Sequence, residues 1–366
     1  MTSGDRRTGW LFEERYLWHD TGTAAGLLAS GRWLEPLTHV ESPATKRRLQ
    51  SLMAVSGLLD DLVVLRAREA TTDELLTVHT PEYVDRIEVL SEGAGGDAGD
   101  GTSPFGHGGV QIARLSAGGA ITAVEAVVTG AVDRVYALVR PPGHHALPNR
   151  GMGFCTFNNI AIAIRHVQRA HGVARVAVVD WDVHHGNGTQ AIFYDDPNVL
   201  TISVHQDRCF PIDSGGCDER GAGAGIGANL NIPLPAGSGD GAYVEAFTRV
   251  IVPALERFQA DLVVVASGFD ANAYDPMGRM QLHSDTYRAL TEILLASTGG
   301  RLAMVHEGGY SEFYVPFCGL AVAETLAGRR TEVIDPYLEE TRLIAGQGLS
   351  RAQREAIETA ASAAGL

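Results

Sequence analysis

From about Gly109 onward the chain alternates between helical and extended patterns. Val110–Thr129 is Ala-rich with apolar residues at helical spacing, and Arg134–Val139 is a short β-type run. Asn158–Ala170 reads as a helix, with apolar residues at Ile160, Ile162, Ile164 and Val167. Val176–Val179 and Val199–Val204 read as strands, Tyr243–Phe258 as a helix, Leu262–Ala266 as a strand, Thr286–Ala296 as a helix and Leu302–Val305 as a strand. Leu262–Ala266 contains no polar residue, so both of its faces should be buried. This βαβα order predicts an α/β fold with a mostly parallel sheet covered by helices on both sides. Ligand sites in such sheets lie at the carboxyl ends of the strands.

The first hundred residues are less regular. Pro43–Ser56 and Pro81–Leu90 look helical, and Gly93–Gly109 is a Gly/Asp-rich loop. A second Gly-rich loop spans Ser214–Gly227. Its end, Gly223 to Ala228, fits the loose dinucleotide pattern G-x-G-x-x-A, which should follow a strand and open a helix. Here it precedes Asn229–Pro233, which looks extended, so a rim loop is the plainer reading. Ser350–Leu366 reads as a surface helix. No Pro- or Ser-rich linker divides the chain, which predicts a single domain over 1–366.

Composition narrows the function classes. The chain is 45% hydrophobic and 20% charged, as a globular protein should be, and carries a formal net charge of −15. A general nucleic-acid binder needs a basic face, and none is visible. The four cysteines, Cys155, Cys209, Cys217 and Cys318, form no CxxC pair, which excludes a zinc ribbon or thioredoxin-type motif. Scattered thiols point to reduced cysteines in a cytoplasm, with a Cys209–Cys217 disulfide left open. Met1–Glu14 lacks the apolar core of a signal peptide. No apolar run approaches the roughly 20 residues of a membrane span.

Polar clusters follow the apolar runs. The richest is Asp180-Trp181-Asp182-Val183-His184-His185-Gly186-Asn187-Gly188, after Val176–Val179. Asp and His alternating past a strand can put two metal ligands on one side of the chain. With Asp270 at the end of the Leu262 strand, Asp182 and His184 offer two carboxylates and one imidazole, which suit zinc and leave a coordination position open. An isolated D-x-H more often caps a helix or pairs with arginine; the further clusters shift the balance. Arg140-Pro141-Pro142-Gly143-His144-His145-Ala146 offers adjacent histidines for an acid–base pair, with Asp180 and Asn187 as candidate orienting partners. His306-Glu307-Gly308-Gly309-Tyr310 places a phenol where it could donate to an oxyanion, although alone it reads as a turn with a packed Tyr. Phe154 and Phe210, on loops at the same sheet edge, could wall a narrow apolar channel or simply be core aromatics.

RPPGHHA, GMGFCTFNN, DWDVHHGNG, SVHQDRCFP, ASGFDAN and HEGGY, in this order, resemble the histone deacetylase superfamily. The similarity is greatest to its class II branch and to bacterial histone deacetylase-like amidohydrolases and acetylpolyamine amidohydrolases. It covers roughly Leu17 to Ala327, leaving 328–366 as a C-terminal helical tail. The resemblance implies the arginase–deacetylase α/β fold, with a central eight-stranded mostly parallel sheet, one zinc per chain and hydrolysis of acetyl-lysine-type amides to carboxylate and free amine. It makes Asp182, His184 and Asp270 the zinc ligands and His144 and His145 the tandem histidines. Asp180 orients the first and Asn187, as in class II members, the second. Tyr310 becomes the transition-state donor. Phe154 and Phe210 become the channel walls, and the Gly153 carbonyl the acceptor of the substrate N–H.

The resemblance also implies structural potassium. One site would use Asp180, Asp182, His184, Ser203 and Val204; a second would use carbonyls near Phe193, Asp196, Val199 and Tyr243. Asp97 or Asp100 is implied as the acidic rim residue that holds substrate. The two-manganese arginases carry extra acids, one of them where this chain has Asn272, and this chain has no acid two places after His184, which implies a single catalytic metal here. Expected partners are acylated lysine or another acylated amine, with no direct nucleic acid and no membrane. An acetylpolyamine enzyme often forms its entrance by dimerising, so a homo-oligomer belongs among the expectations. Acetylpolyamines, other small amides or esters are the alternative substrates, and an acyl-binding module without catalysis is the remaining alternative. The family branch and the Ala/Gly/Arg-rich composition point to a bacterial source.

Overall fold

The computed structural model describes residues 7–25 and 27–366. Eight strands form one central sheet: β1 (Thr8–Leu11), β2 (Val63–Leu65), β3 (Arg134–Ala137), β4 (Val176–Asp180), β5 (Val199–Gln206), β6 (Asn229–Leu234), β7 (Leu262–Ser267) and β8 (Leu302–His306). Their spatial order is β6-β5-β4-β7-β8-β3-β1-β2, and every pairing is parallel. The chain runs outward from β4 through β5 to β6, then crosses back to place β7 on the other side of β4. The β4/β7 boundary is therefore a topological switch point, where parallel sheets open a crevice at their carboxyl edge.

Helices α1 (Ala44–Val55), α2 (Thr72–Leu75), α3 (Pro81–Glu92), α4 (Gly109–Val128), α5 (Asn159–His171), α6 (Asn187–Phe193), α7 (Asp240–Ala246), α8 (Val252–Phe258), α9 (Ser284–Ser297), α10 (Val315–Ala327), α11 (Leu338–Leu343) and α12 (Arg351–Ala364) surround the sheet. A π-type turn, Phe247–Ile251, joins α7 to α8, so the predicted Tyr243–Phe258 helix is one continuous rod. Strand side chains alternate between two cores. Ala177, Val179, Val263, Val265, Leu302 and Met304 face α1, α7, α8, α9, α10 and α12. Val176, Val178, Val264, Ala266, Ala303 and Val305 face α3, α4 and α5. This two-sided burial is why these strands are continuous apolar runs.

Three expectations need correction. The core does not begin near residue 17: β1 lies between β3 and β2, with Trp10 and Leu11 fully buried. Four residues, TGWL, are too short to show a period. The tail forms the expected surface helix but is not purely superficial: one face of α12 is exposed, while Ile357, Ala360, Ala361 and Ala364 pack into the first core. Gly93–Gly109 is not all loop, because Gly95–Asp97 and Pro104–Gly106 pair antiparallel. The Gly223–Ala228 segment leads into β6 through a short 3-10 turn, so it lacks the strand-to-helix context of a dinucleotide fingerprint. All four cysteines are free thiols, which closes the Cys209–Cys217 alternative. Among the described residues no helix is long and apolar enough to cross a membrane.

Candidate metal centre and active site

Five adjacent strands, β5, β4, β7, β8 and β3, deliver the polar clusters to one edge of the sheet. Asp182 and His184 follow β4 and Asp270 follows β7, so the three sit at the switch point itself. They are buried, and one ligand atom from each lies within 4.8 Å of the others. His184 Nδ1 is 3.0 Å from Asp182 Oδ1 and 3.2 Å from Asp270 Oδ2. Its other nitrogen, Nε2, faces the Met277 carbonyl at 3.3 Å, and a carbonyl can only accept. That contact fixes the Nε2–H tautomer and turns the Nδ1 lone pair towards two carboxylate oxygens. The two carboxylates facing Nδ1 demand positive charge there, as a proton or a bound cation. Asp270 Oδ2 is buried without a hydrogen-bond partner, as an unfilled ligand atom should be.

The backbone secures this triad. Asp182 Oδ2 accepts from Gly308 N–H at 2.9 Å, and Asp270 Oδ1 accepts from Val183 N–H at 2.8 Å. A Cβ at Gly308 would collide with Asp270 Oδ2, and one at Gly268 with Asp182 Oδ2, so glycine is required at both positions. Burial lowers the affinity of His184 for a proton, but the two carboxylates outweigh it and hold its pKa well above the ordinary range. Burial beside Asp182 pushes Asp270 up to about 6. Both shifts express the same electrostatic demand for positive charge between the ligands. Two oxygens and one imidazole nitrogen fit zinc. A different buried group, His144, Cys155 and Glu307, is engaged elsewhere: Glu307 accepts from the Gly143 and His144 N–H groups, and Cys155 Sγ accepts from the His145 N–H.

The tandem histidines stand beside this triad with ring centroids 3.9 Å apart. His144 Nδ1 is 2.9 Å from Asp180 Oδ2, and His145 Nδ1 is 2.7 Å from Asn187 Oδ1. Both partners are acceptors, so both rings carry a proton on Nδ1, and the neutral ring presents its Nε2 lone pair. Their charges diverge. Burial lowers the pKa of His144, but Asp182 and Asp180 outweigh it and raise it to about 10. His145 is pushed well below its ordinary value by burial and by its neighbours His144 and His184, and a neutral amide does little to offset this. Neutral His145 and charged His144 therefore coexist.

A cavity of about 160 Å³ opens above these groups, lined by His145, Gly153, Phe154, His184, Phe210 and Tyr310 among others. Phe210 meets the His145 ring edge-on at 4.9 Å, and Phe154 meets Tyr310 at 5.6 Å. Gly153 has φ +54°, and a Cβ there would run into the His145 and Phe210 rings. The backbone N–H of Tyr310 donates to Asp275 Oδ2 at 2.7 Å, and burial raises the phenol pKa, keeping it a donor. Of the two rim candidates, Asp97 is spent on Gly99, Gly101 and Ser103 of its own loop. Asp100 reaches the channel, accepting from Gly153 N–H at 2.8 Å.

Asp180 and Ser203 are register partners across β4 and β5, and both line a cavity of about 10 Å³. Ser203 Oγ lies 2.9 Å from His205 Nδ1, and Val204 is buried in the strand beside it. Phe193, Asp196 and Val199 follow one another through the turn into β5, while Tyr243 is buried on α7.

Sequence reasoning missed three buried acids around the site. Glu307 accepts from the Gly143 and His144 N–H groups at 2.7 and 3.0 Å, and burial raises its pKa to about 7. Asp275 accepts from Tyr310, Ser311 and Met277 N–H groups, and burial beside Asp270 raises it to about 8. Glu41 pairs with Arg140 and Lys46, all three buried, while Arg140 also donates to the carbonyls of Tyr16 and His19. A buried acid directly after a strand was the available signal for Glu307. Glu41 and Asp275 show no local pattern.

The chain matches the histone deacetylase domain family over residues 39–326. It is 52% identical to a histone deacetylase-like amidohydrolase of Pseudomonas aeruginosa, across 99% of this chain and 97% of that protein. It is 40% identical to histone deacetylase clr3 of Schizosaccharomyces pombe across 79% of this chain, and 40% identical to human polyamine deacetylase HDAC10 across 80%. The chain spans about half the length of these eukaryotic relatives, 45% in both cases. The solved HDA15 HD domain superposes with a TM-score of 0.86 at 32% identity, covering 98% of this chain and 96% of that one.

Proposed function

The chain belongs to the histone deacetylase family, and from that premise we propose that it is a zinc-dependent amidohydrolase that releases a carboxylate from N-acylated alkyl amines. The observation that carries this reading is the His184 tautomer, whose lone pair faces Asp182 and Asp270 in a buried pocket at the base of an aromatic channel. Asp182, His184 and Asp270 would hold one zinc. When bound, zinc supplies Lewis acidity, polarising an acyl carbonyl and acidifying water.

The protein's residues do the rest. Phe154 and Phe210 receive an extended alkyl chain and exclude water, and the Gly153 carbonyl accepts the amide N–H. His145, kept neutral, takes a proton from the attacking water at Nε2 and passes it to the departing amine. Asn187 holds its Nδ1–H. His144, fixed by Asp180, keeps positive charge close to the developing negative charge. Tyr310 donates its hydroxyl proton in a hydrogen bond to the oxyanion. Asp180, Asp182, His184, Ser203 and Val204 would hold a structural potassium ion; the cavity shared by Asp180 and Ser203 has the volume of one small occupant. The free thiols and the similarity to a Pseudomonas protein support a bacterial cytoplasm as the setting.

The test is a turnover panel on the purified protein, with zinc measured on the same sample. Acetyl-lysine peptides, longer acyl-lysines, acetylputrescine and acetylspermidine are compared. Hydrolysis of any of these with about one zinc per chain supports the reading, and their ratio assigns the amine. Zinc-loaded protein that binds acetyl-lysine and cleaves none of them refutes it.

A further inference from the structure

Away from the channel, α2, α4 and α5 bring four metal-compatible side chains together. His166 and His171 lie on α5, Glu125 on α4 and Glu74 on α2. His166 Nε2 is 3.3 Å and His171 Nε2 2.8 Å from the same atom, Glu125 Oε1. The three ligand atoms lie within 4.8 Å of one another. Around a tetrahedral zinc with bonds near 2.0–2.1 Å, neighbouring donors sit roughly 3.3 Å apart, so the spacing needs only a small adjustment. The other His166 nitrogen, Nδ1, is 3.0 Å from Glu74 Oε1. Glu74 is itself held by two bonds from Arg68, of 2.7 and 2.5 Å, and by the Thr71 backbone N–H.

This arrangement raises a protonation problem. A neutral imidazole has one N–H, yet both nitrogens of His166 face carboxylate oxygens. One contact is a donated hydrogen bond. The other needs a second proton or a cation between nitrogen and oxygen. Glu74 is the better acceptor for the N–H, because Arg68 fixes its position; burial opposes its ionisation, but the Arg68 bonds outweigh this and hold its pKa at about 2. A carboxylate that orients one imidazole nitrogen while the other is free to ligate is a recurrent outer partner of zinc histidines. The His166, His171 and Glu125 side chains remain partly accessible, and a cavity of about 300 Å³ beside His166 offers solvent a way in.

We propose that Glu125, His166 and His171 form a second divalent-metal site, with Glu74 as the residue that orients His166. Two imidazoles and one carboxylate select zinc, nickel or cobalt over calcium or magnesium. The helix α5 runs back antiparallel to the strands, so its carboxyl end, with His171, lies at the opposite edge of the sheet from Asp182 and His184. A metal there cannot touch the reacting amide. It clamps α4 to α5, whose contact builds much of the second core, and so acts on stability.

The test uses tag-free, zinc-loaded enzyme titrated with cobalt(II), following its visible ligand-field absorption and any zinc released. Wild type is expected to take up one further equivalent without losing zinc and to gain thermal stability on doing so. His171→Ala and Glu125→Gln are expected to lose that equivalent and the thermal gain while deacetylase turnover stays unchanged. Glu74→Gln is expected to weaken uptake by about 10–100-fold. The proposal is overturned if wild type takes up no further equivalent, or if His171→Ala and Glu125→Gln take it up unchanged. The cobalt spectrum of wild type separates imidazole ligation from loose surface binding even if a variant folds poorly.

Discussion

Replacing Tyr310 by Phe removes one oxygen from the channel and leaves its scaffold in place. The ring keeps its edge contact with Phe154 at 5.6 Å, and the backbone N–H keeps its 2.7 Å bond to Asp275. None of the three proposed zinc ligands loses a hydrogen bond, since those bonds are made with Gly308, Val183 and the Met277 carbonyl. On the proposed mechanism, the lost interaction is a single donor aimed at charge that exists only in the transition state. Such a donor contributes about 10²–10³ in kcat, or about 2.7–4 kcal/mol. The assay is steady-state hydrolysis of an acetyl-lysine peptide, with zinc content and melting temperature recorded on the same preparations. The expected result is kcat lowered at least about a hundredfold with KM changed little, since a ground-state contact is not removed. Turnover within a few-fold of wild type would refute the role of Tyr310, and so would a loss that tracks zinc release.

Other consequences can be measured separately. In Asn187→Asp a carboxylate replaces the amide 2.7 Å from His145 Nδ1 and stabilises its charged form, so His145 stays protonated to higher pH. The acidic limb of the kcat/KM–pH profile should therefore move to higher pH; a move to lower pH, or none, contradicts His145 as the base. Gly153→Ala forces a side chain into the His145 and Phe210 rings at a positive φ, and a displacement approaching 1 Å should reduce kcat/KM by about a hundredfold. Wild-type kcat/KM would mean that the wall is not held there. Glu41→Gln leaves Arg140 and Lys46 buried without their anion, and urea unfolding should show a loss of about 3–5 kcal/mol. An unchanged midpoint would show that the pair is not needed.

The parts of the molecule legible in the sequence were those encoded locally. The apolar strands β4, β7 and β8 are buried on both faces and read directly as runs of Val, Leu and Ala. The polar residues just past them had to lie at the carboxyl edge, which gathers Asp182, His184, Asp270 and Tyr310 whatever the details of packing. The hidden parts depend on contacts between distant segments. Trp10 and Leu11 look like part of a polar N-terminus until β3 and β2 flank them. Glu41 gains its meaning from Arg140, 99 residues away. Asp275 looks like an ordinary turn residue, yet three backbone N–H groups from two loops converge on it. The orientation of His184, which makes the metal argument, comes from Met277, 93 residues further on.

An anomalous-scattering measurement at the zinc edge, on crystals of the protein grown with zinc, addresses the centre most directly. The account predicts a peak at the β4/β7 crevice, about 2.0–2.2 Å from His184 Nδ1 and from one oxygen each of Asp182 and Asp270. That peak should vanish in Asp270→Ala together with activity. Density in which His184 Nδ1 instead carries a proton shared between the two carboxylates, with no metal peak in an active crystal, would contradict it.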